Sequence, residues 1–361
     1  MDVGVFIPIG NNGWIASSTS PQYKPSFDLN RTIVEKAECY GLDFALSMIK
    51  LHGYGGLTEY WDYNLESFTL MAGLAAVTQR IKLFASVAVL TLPPAMVARM
   101  AVTIDSIAPG RFGVNIVSGW QKAEYEQMGL WPGDEYFSYR YDYSSEFVAV
   151  MRELWEKGAS NFKGRHFTMN DCRLLPHPRG PISVVSAGQS DRGMAFVSDY
   201  CDYNFVAAMG DNNPKAIAPT IERLKKATAR ADRKIGALVL LAVIADETDE
   251  AAEAKLKLYN EGADLEALSW MAAQSGMDVK ATKESTAALL GQARQTARAS
   301  YLQTFCGCYA KVAGYLDEIA EIDGVAGIML TFDDFVNGME QFGRSIQPLM
   351  KSRAHVLQAA A

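Results

Sequence analysis

Histidine and cysteine are scarce in this chain, and neither is arranged for chemistry. The four histidines, His52, His166, His177 and His355, stand far apart with no His-x-His or His-Glu-x-x-His spacing. A metal site would have to be assembled from distant single ligands. The five cysteines, Cys39, Cys172, Cys201, Cys306 and Cys308, form no Cys-x-x-Cys pair and are too sparse for a disulfide framework. Cys306 and Cys308 read as small buried thiols at a helix start, not as a redox pair. A Gly-x-Ser-x-Gly elbow, a Walker A lysine and a Gly-x-Gly-x-x-Gly fingerprint after a strand are all missing, which removes the usual hydrolase, nucleotide-triphosphate and dinucleotide readings. No run of about 18 uncharged apolar residues exists to span a membrane. The opening Met-Asp-Val-Gly-Val-Phe-Ile-Pro lacks the basic and apolar regions of a signal peptide. Positive charge is not in excess either: 34 Lys and Arg against 41 Asp and Glu leave a net charge of −7. Such a chain lacks the electrostatic footprint for a phosphate backbone or an anionic lipid surface. The expectation is a reduced, cytoplasmic, soluble protein with neither nucleic acid nor membrane as partner.

What is present is a regular alternation of strand and helix. Short apolar or β-branched runs at 3–8, 44–47, 81–87, 112–117, 182–187, 203–206, 237–245 and 325–331 are continuous rather than alternating, as in parallel strands buried on both faces. Amphipathic stretches lie between them, most clearly 93–107 and 141–155. The second carries Tyr143, Phe147, Val150, Met151 and Leu154 on one face. About eight βα units in series predict an α/β protein, a TIM (β/α)8 barrel, as a single domain over residues 1–361. A bare barrel needs roughly 250 residues, so insertions are expected at 10–26, 50–64, 121–138, 161–180 and 261–304. Four of the five leave a strand or lie close to a βα junction, the side where barrel active sites are built.

Three clusters invite an organic cofactor. Ser186-Ala187-Gly188-Gln189-Ser190-Asp191 runs from a strand into a helix, with Ser190 at the N-cap. It is either an anion site at the helix's positive end or an ordinary capped junction. Arg140-Tyr141, read as opening the 141–155 helix, offers a cation and a hydroxyl to a phosphate, or is an exposed first-turn pair. Asn115 interrupts an apolar strand that ends in Ser118-Gly119-Trp120. Buried there, it needs a partner, either a heteroaromatic edge such as an isoalloxazine or a neighbouring loop backbone.

At residues 106–120, with Glu124 downstream, the chain resembles the bacterial-luciferase-like flavin monooxygenases. The segments 7–14, 44–50, 64–76, 131–134, 187–191 and 330–338 extend the likeness to their pyrimidine oxygenase branch, of the Rut uracil-degrading pathway. The resemblance implies a two-component enzyme that takes reduced FMN from a separate flavin reductase using NADH or NADPH, with O2 as co-substrate. It opens a uracil-like ring between N3 and C4. By the family pattern FMN lies against Ile49, Lys50, Asn115, Glu124, Arg140, Tyr141 and Ser190. Asn115 and Ser86 are then candidates for holding oxygen near the ring edge, and Trp120 and Phe6 for walling the pocket. The resemblance also implies a homo-oligomer. The chain departs from the branch at Ala207-Ala208-Met209-Gly210 and Tyr301-Leu302-Gln303-Thr304, which leaves another heteroaromatic or chlorinated ring open as substrate. The same fold also serves F420-dependent hydride transfer, or a flavin-binding barrel without turnover.

Overall fold

The computed structural model describes residues 1–231, 234–278, 281–282, 284–291 and 298–356. Eleven strands occur among them: β1 (Asp2–Ile7), β2 (Phe44–Ser47), β3 (Lys82–Ala88), β4 (Phe112–Val117), β5 (Ala159–Ser160), β6 (Cys172–Arg173), β7 (Ser183–Ser186), β8 (Tyr203–Ala207), β9 (Gly236–Asp246), β10 (Thr304–Cys308) and β11 (Val325–Phe332). Eight of them pair in parallel around a closed ring, in the order β9, β11, β1, β2, β3, β4, β7, β8 and back to β9. This is the TIM barrel that the alternating runs predict. All eight barrel strands fall within one residue of the expected ends. Each βα crossover packs its helix on the outside, so these strands are buried on both faces and their sequences stay apolar throughout.

Two expectations need correction. β10 went unread, because it closes an insertion and is only five residues long. It pairs with the far half of β9, Ala242–Asp246, on the flank where β8 has already ended. Cys306 is therefore a strand residue, its thiol pushed up to about 12 by burial, and only Cys308 stands at a helix start. The second correction concerns the helix after β4. It runs Tyr136–Lys157, five residues longer at its start than the apolar stripe indicates. Its buried face continues through the polar residues Arg140 and Ser144 to Tyr136, and a hydrophobic count stops where the face becomes polar. Arg140 and Tyr141 thus lie in the second turn of that helix and do not open it.

The insertions divide by barrel end. The 161–180 segment follows the Tyr136–Lys157 helix, and its strand β6 pairs antiparallel with β5, which immediately precedes the segment, as a two-strand ribbon. The others gather over the C-terminal ends of the strands, and bridges between Gly10 and Asn64, Ile15 and Ser300, and Ser17 and Ala263 stitch the 10–26 insertion to the 50–64 and 261–304 insertions. Of the 261–304 insertion, residues 279–280, 283 and 292–297 lie outside the described residues. The rest includes the helices Leu265–Ser275 and Thr286–Gly291. Among the described residues no helix is long and apolar enough to cross a membrane, and no group of three His, Cys, Asp or Glu side chains could hold a metal ion.

Candidate active site

One cleft opens at the C-terminal ends of the barrel strands, enclosing about 1220 Å³ counted out to its mouth. Its floor comes from strand residues, Phe6 of β1, Ser86 of β3, Asn115 of β4, Ser186 of β7, Phe205 of β8 and Leu240 of β9. Its roof includes Ser285, Thr286 and Leu289 from the long insertion. Thr286 is latched to the barrel by donating its hydroxyl to the Ala187 carbonyl at 2.7 Å.

The register of β3 and β4 sets Ser86 directly beside Asn115. Asn115 Nδ2 donates to Ser86 Oγ at 2.8 Å, and the Ser86 hydroxyl in turn donates a hydrogen bond to the Ser47 carbonyl. This fixes the amide orientation and leaves Asn115 Oδ1 buried with no donor. The hydroxyl of Ser86 is committed to that relay, so it acts on the cleft through Asn115. A buried, unpaired amide oxygen on a barrel floor is costly unless a ligand N–H fills it.

Lys50 follows β2 and is only 5% exposed. Its ammonium pairs with Glu124 Oε1 at 3.0 Å, donates to Gln121 Oε1, and reaches Tyr54 OH at 3.2 Å. It also faces the Trp120 ring at 5.3 Å. Glu124 in turn accepts from the Leu51 backbone N–H at 3.0 Å, which ties the loop after β2 to the short helix Lys122–Glu126. Burial lowers the Lys50 pKa, and the Glu124 charge opposes that shift.

Arg140 is buried in the cleft wall. One guanidinium nitrogen, Nη2, pairs with Asp278 at 2.9 Å. The other two, Nε and Nη1, have no partner. A buried guanidinium with one nitrogen anchored and N–H bonds free on the other two is a charged donor for an oxyanion. Next to it, the β7 turn approaches its own helix closely. A Cβ on Gly188 or on Gly193 would strike the other's backbone at 2.7 Å, and one on Gly193 would also meet the Tyr141 hydroxyl at 2.7 Å. The glycines therefore bring Tyr141, the turn and the start of the Asp191–Tyr200 helix together. Ser190 caps that helix by accepting from the Gly193 N–H at 3.1 Å. It lies just behind the cleft surface, which the turn reaches through Ser186, Ala187 and Gly188.

The fold brings Ile49, Lys50, Ser86, Asn115, Trp120, Glu124, Arg140 and Tyr141 onto one cleft, with Ser190 adjoining it. Gln121, Tyr54, Asp278 and the roof residues were not singled out in the sequence. Asp278 is one acidic residue in an insertion without pattern, and only its pairing marks it. Gln121 lay beside the Trp120 motif, but no spacing rule links it to Lys50.

The cleft belongs to a known class. Residues 1–321 match the luciferase-like monooxygenase family, and the chain belongs to that family, whose members are flavin-dependent. The resemblance read from the motifs is borne out. The protein is a flavin-dependent monooxygenase with a reduced flavin as cofactor. Among its relatives, the pyrimidine monooxygenase RutA of Bradyrhizobium sp. (strain BTAi1) is 62% identical over 361 residues, all of both chains. That of Serratia proteamaculans (strain 568) is 58% identical over 361 residues, 100% of this chain and 98% of its own. Among solved structures, riboflavin lyase RcaE, with modified FMN and substrate riboflavin, superposes with a TM-score of 0.81 at 18% identity, covering 98% of this chain and 92% of its own. At that identity the likeness is one of fold.

Proposed function

We propose that this enzyme opens a pyrimidine ring, that of uracil or thymine, between N3 and C4. Reduced FMN and O2 are the co-substrates, and the flavin comes from a separate reductase using NADH or NADPH. The observation that carries this reading is a pair of unmet demands in one apolar cleft. Among the described residues, Arg140 offers two buried nitrogens, Nε and Nη1, with no hydrogen-bond partner, and Asn115 offers a buried, unpartnered acceptor. The first suits a phosphate and the second suits the N–H edge of a heteroaromatic ring, which is what an FMN molecule has at its two ends. Identity of 62% to a pyrimidine monooxygenase supports the substrate class.

In this reading Arg140 and Tyr141 hold the phosphate. The Ser190-capped helix adds its positive end, and Ile49 packs near the ring. Bound reduced flavin supplies the activation of O2. The chain's own part is orientation and exclusion of water. Asn115, held by Ser86 and Ser47, fixes the ring edge and borders the place where oxygen is used. Trp120 and Phe6 wall the pocket, and the Lys50–Glu124 pair sets the charge beside it. Water kept from the reduced ring is water that cannot divert oxygen into hydrogen peroxide. The F420 alternative is disfavoured by the close relatives being monooxygenases.

The test is mass spectrometry with ¹⁸O₂, FMN, a reductase and a panel of rings. Uracil and thymine are expected to yield ring-opened products carrying one labelled atom. Ala207, Ala208, Tyr301 and Leu302, where the chain departs from the branch pattern, line the cleft, so the panel extends to other heteroaromatic and chlorinated rings. Oxygen uptake without any ring-opened pyrimidine would overturn the proposed substrate.

A further inference from the structure

FMN accounts for two of the unmet polar groups in the cleft. A third remains. Trp14, on the 10–26 insertion, is 6% exposed and lines the cleft, and its Nε1–H is buried with no acceptor. The neighbouring indole of Trp61 satisfies its N–H on the Gly13 carbonyl at 2.6 Å, and the buried Trp155 does so on Ala98 at 3.1 Å. The mount of Trp14 is rigid. Asn12 and Gly13 both take left-handed backbone angles, φ 61° and 56°. Asn12 donates to the Thr58 carbonyl at 3.1 Å and accepts from the Tyr23 N–H at 3.0 Å. The indole stacks on Phe6 with centroids 4.3 Å apart and planes at 24°. In that position its N–H meets no hydrogen-bond acceptor among the described residues.

Its place in the barrel separates it from the phosphate end. In the strand ring, β1 and β7 are four steps apart among eight, so the loop bearing Trp14 leaves the rim opposite the Gly188 turn. An indole N–H only donates. A ligand reaching it must present an acceptor, and the aromatic walls favour a flat ring that carries one.

We propose that Trp14 is a specificity-determining residue whose Nε1–H donates to a carbonyl oxygen of the pyrimidine substrate; this rests on the substrate class proposed above. Trp14→Phe keeps an aromatic face on Phe6 and deletes the N–H. With the protein loaded with oxidised FMN, so that no turnover occurs, calorimetry is expected to give a uracil Kd about tenfold weaker than wild type. FMN affinity is expected to change less than about twofold, and in turnover KM rather than kcat carries the loss. In the wild type, sulfur in place of one carbonyl oxygen, as 2-thiouracil or 4-thiouracil, weakens binding to a similar degree, and the variant loses that discrimination. Equal uracil affinity in the two proteins, or a loss that falls on FMN instead, overturns the role. If Trp14→Phe does not fold, the wild type decides alone: indifference to sulfur at both positions overturns it. A wild type that binds and opens no pyrimidine removes the substrate class itself, whereas an active wild type with an unchanged variant removes only the role of Trp14.

Discussion

A lysine ammonium that is almost wholly removed from water survives in the cleft because Glu124, Gln121 and Tyr54 surround it. Removing one partner of a buried pair costs more than the pair contributes, because the remaining charge stays desolvated. Glu124→Gln keeps the acceptor for Leu51 but takes away the countercharge, and is expected to destabilise the fold by about 3 kcal/mol at pH 7. The pH dependence has a definite sign. The Lys50 pKa is already lowered from 10.5 by burial, and loss of Glu124 lowers it further. Between that value and the unfolded one the unfolded chain binds more protons, so unfolding free energy rises with pH. The deficit of the variant against wild type should shrink as pH is raised toward 10, as urea melts at several pH values will show. Arg140→Lys retains a charge for Asp278 but loses the planar fork. Its affinity for reduced FMN should fall by about tenfold or more, measured by anaerobic titration.

A single buried carboxylate ties the 50–64 insertion to the 261–304 insertion. Asp264 accepts from the Thr58 N–H and hydroxyl, both at 2.8 Å, and caps the Leu265–Ser275 helix through the Ala267 N–H at 3.1 Å. Asp264→Ala leaves those donors unmet and is expected to cost about 2–3 kcal/mol. The 50–64 and 261–304 segments should become the first sites of proteolysis while the barrel stays folded. Such partnerships were not legible in the sequence. Thr58 and Asp264 are 206 positions apart, and each belongs to a stretch without periodicity. The barrel strands were legible because burial on both faces leaves a continuous apolar run, and the start of the Tyr136–Lys157 helix was not, because its cleft-facing residues are polar. Asn115 stood out as a polar residue where the pattern calls for an apolar one, and Arg140 as a cation beside a hydroxyl near a helix start. Trp14 did not, since a tryptophan in an apolar setting looks like core until its N–H is found unpaired.

At the scale of the molecule, the ring of strands is fastened beneath by its own C-terminal segment. Arg353, fully buried, donates to Asp43 at 2.6 Å, to the Gly41 carbonyl at 2.6 Å and to the Met1 carbonyl at 3.1 Å. Asp43 also accepts from the Val3 N–H at 2.8 Å, so the clasp joins β1, the approach to β2 and the Lys351–Arg353 turn. Arg353→Ala is expected to lower stability by about 2 kcal/mol, with the partial exposure of Asp43 moderating the loss. Calorimetric melting will register it, while FMN affinity at the opposite end of the barrel stays within about twofold of wild type.

Composition, charge and the run of apolar segments determined by themselves an α/β barrel with its insertions gathered largely at one rim, because strand burial and helix amphipathicity are written in local spacing. Motif likeness added the flavin. Only the tertiary structure decided which polar atoms are left unpaired in the cleft. Whether Asn115 Oδ1, the Arg140 fork or the Trp14 N–H meets a neighbour depends on register, on glycine contacts between separate elements and on loops interlocked across hundreds of residues, none of which leaves a periodic trace in the chain.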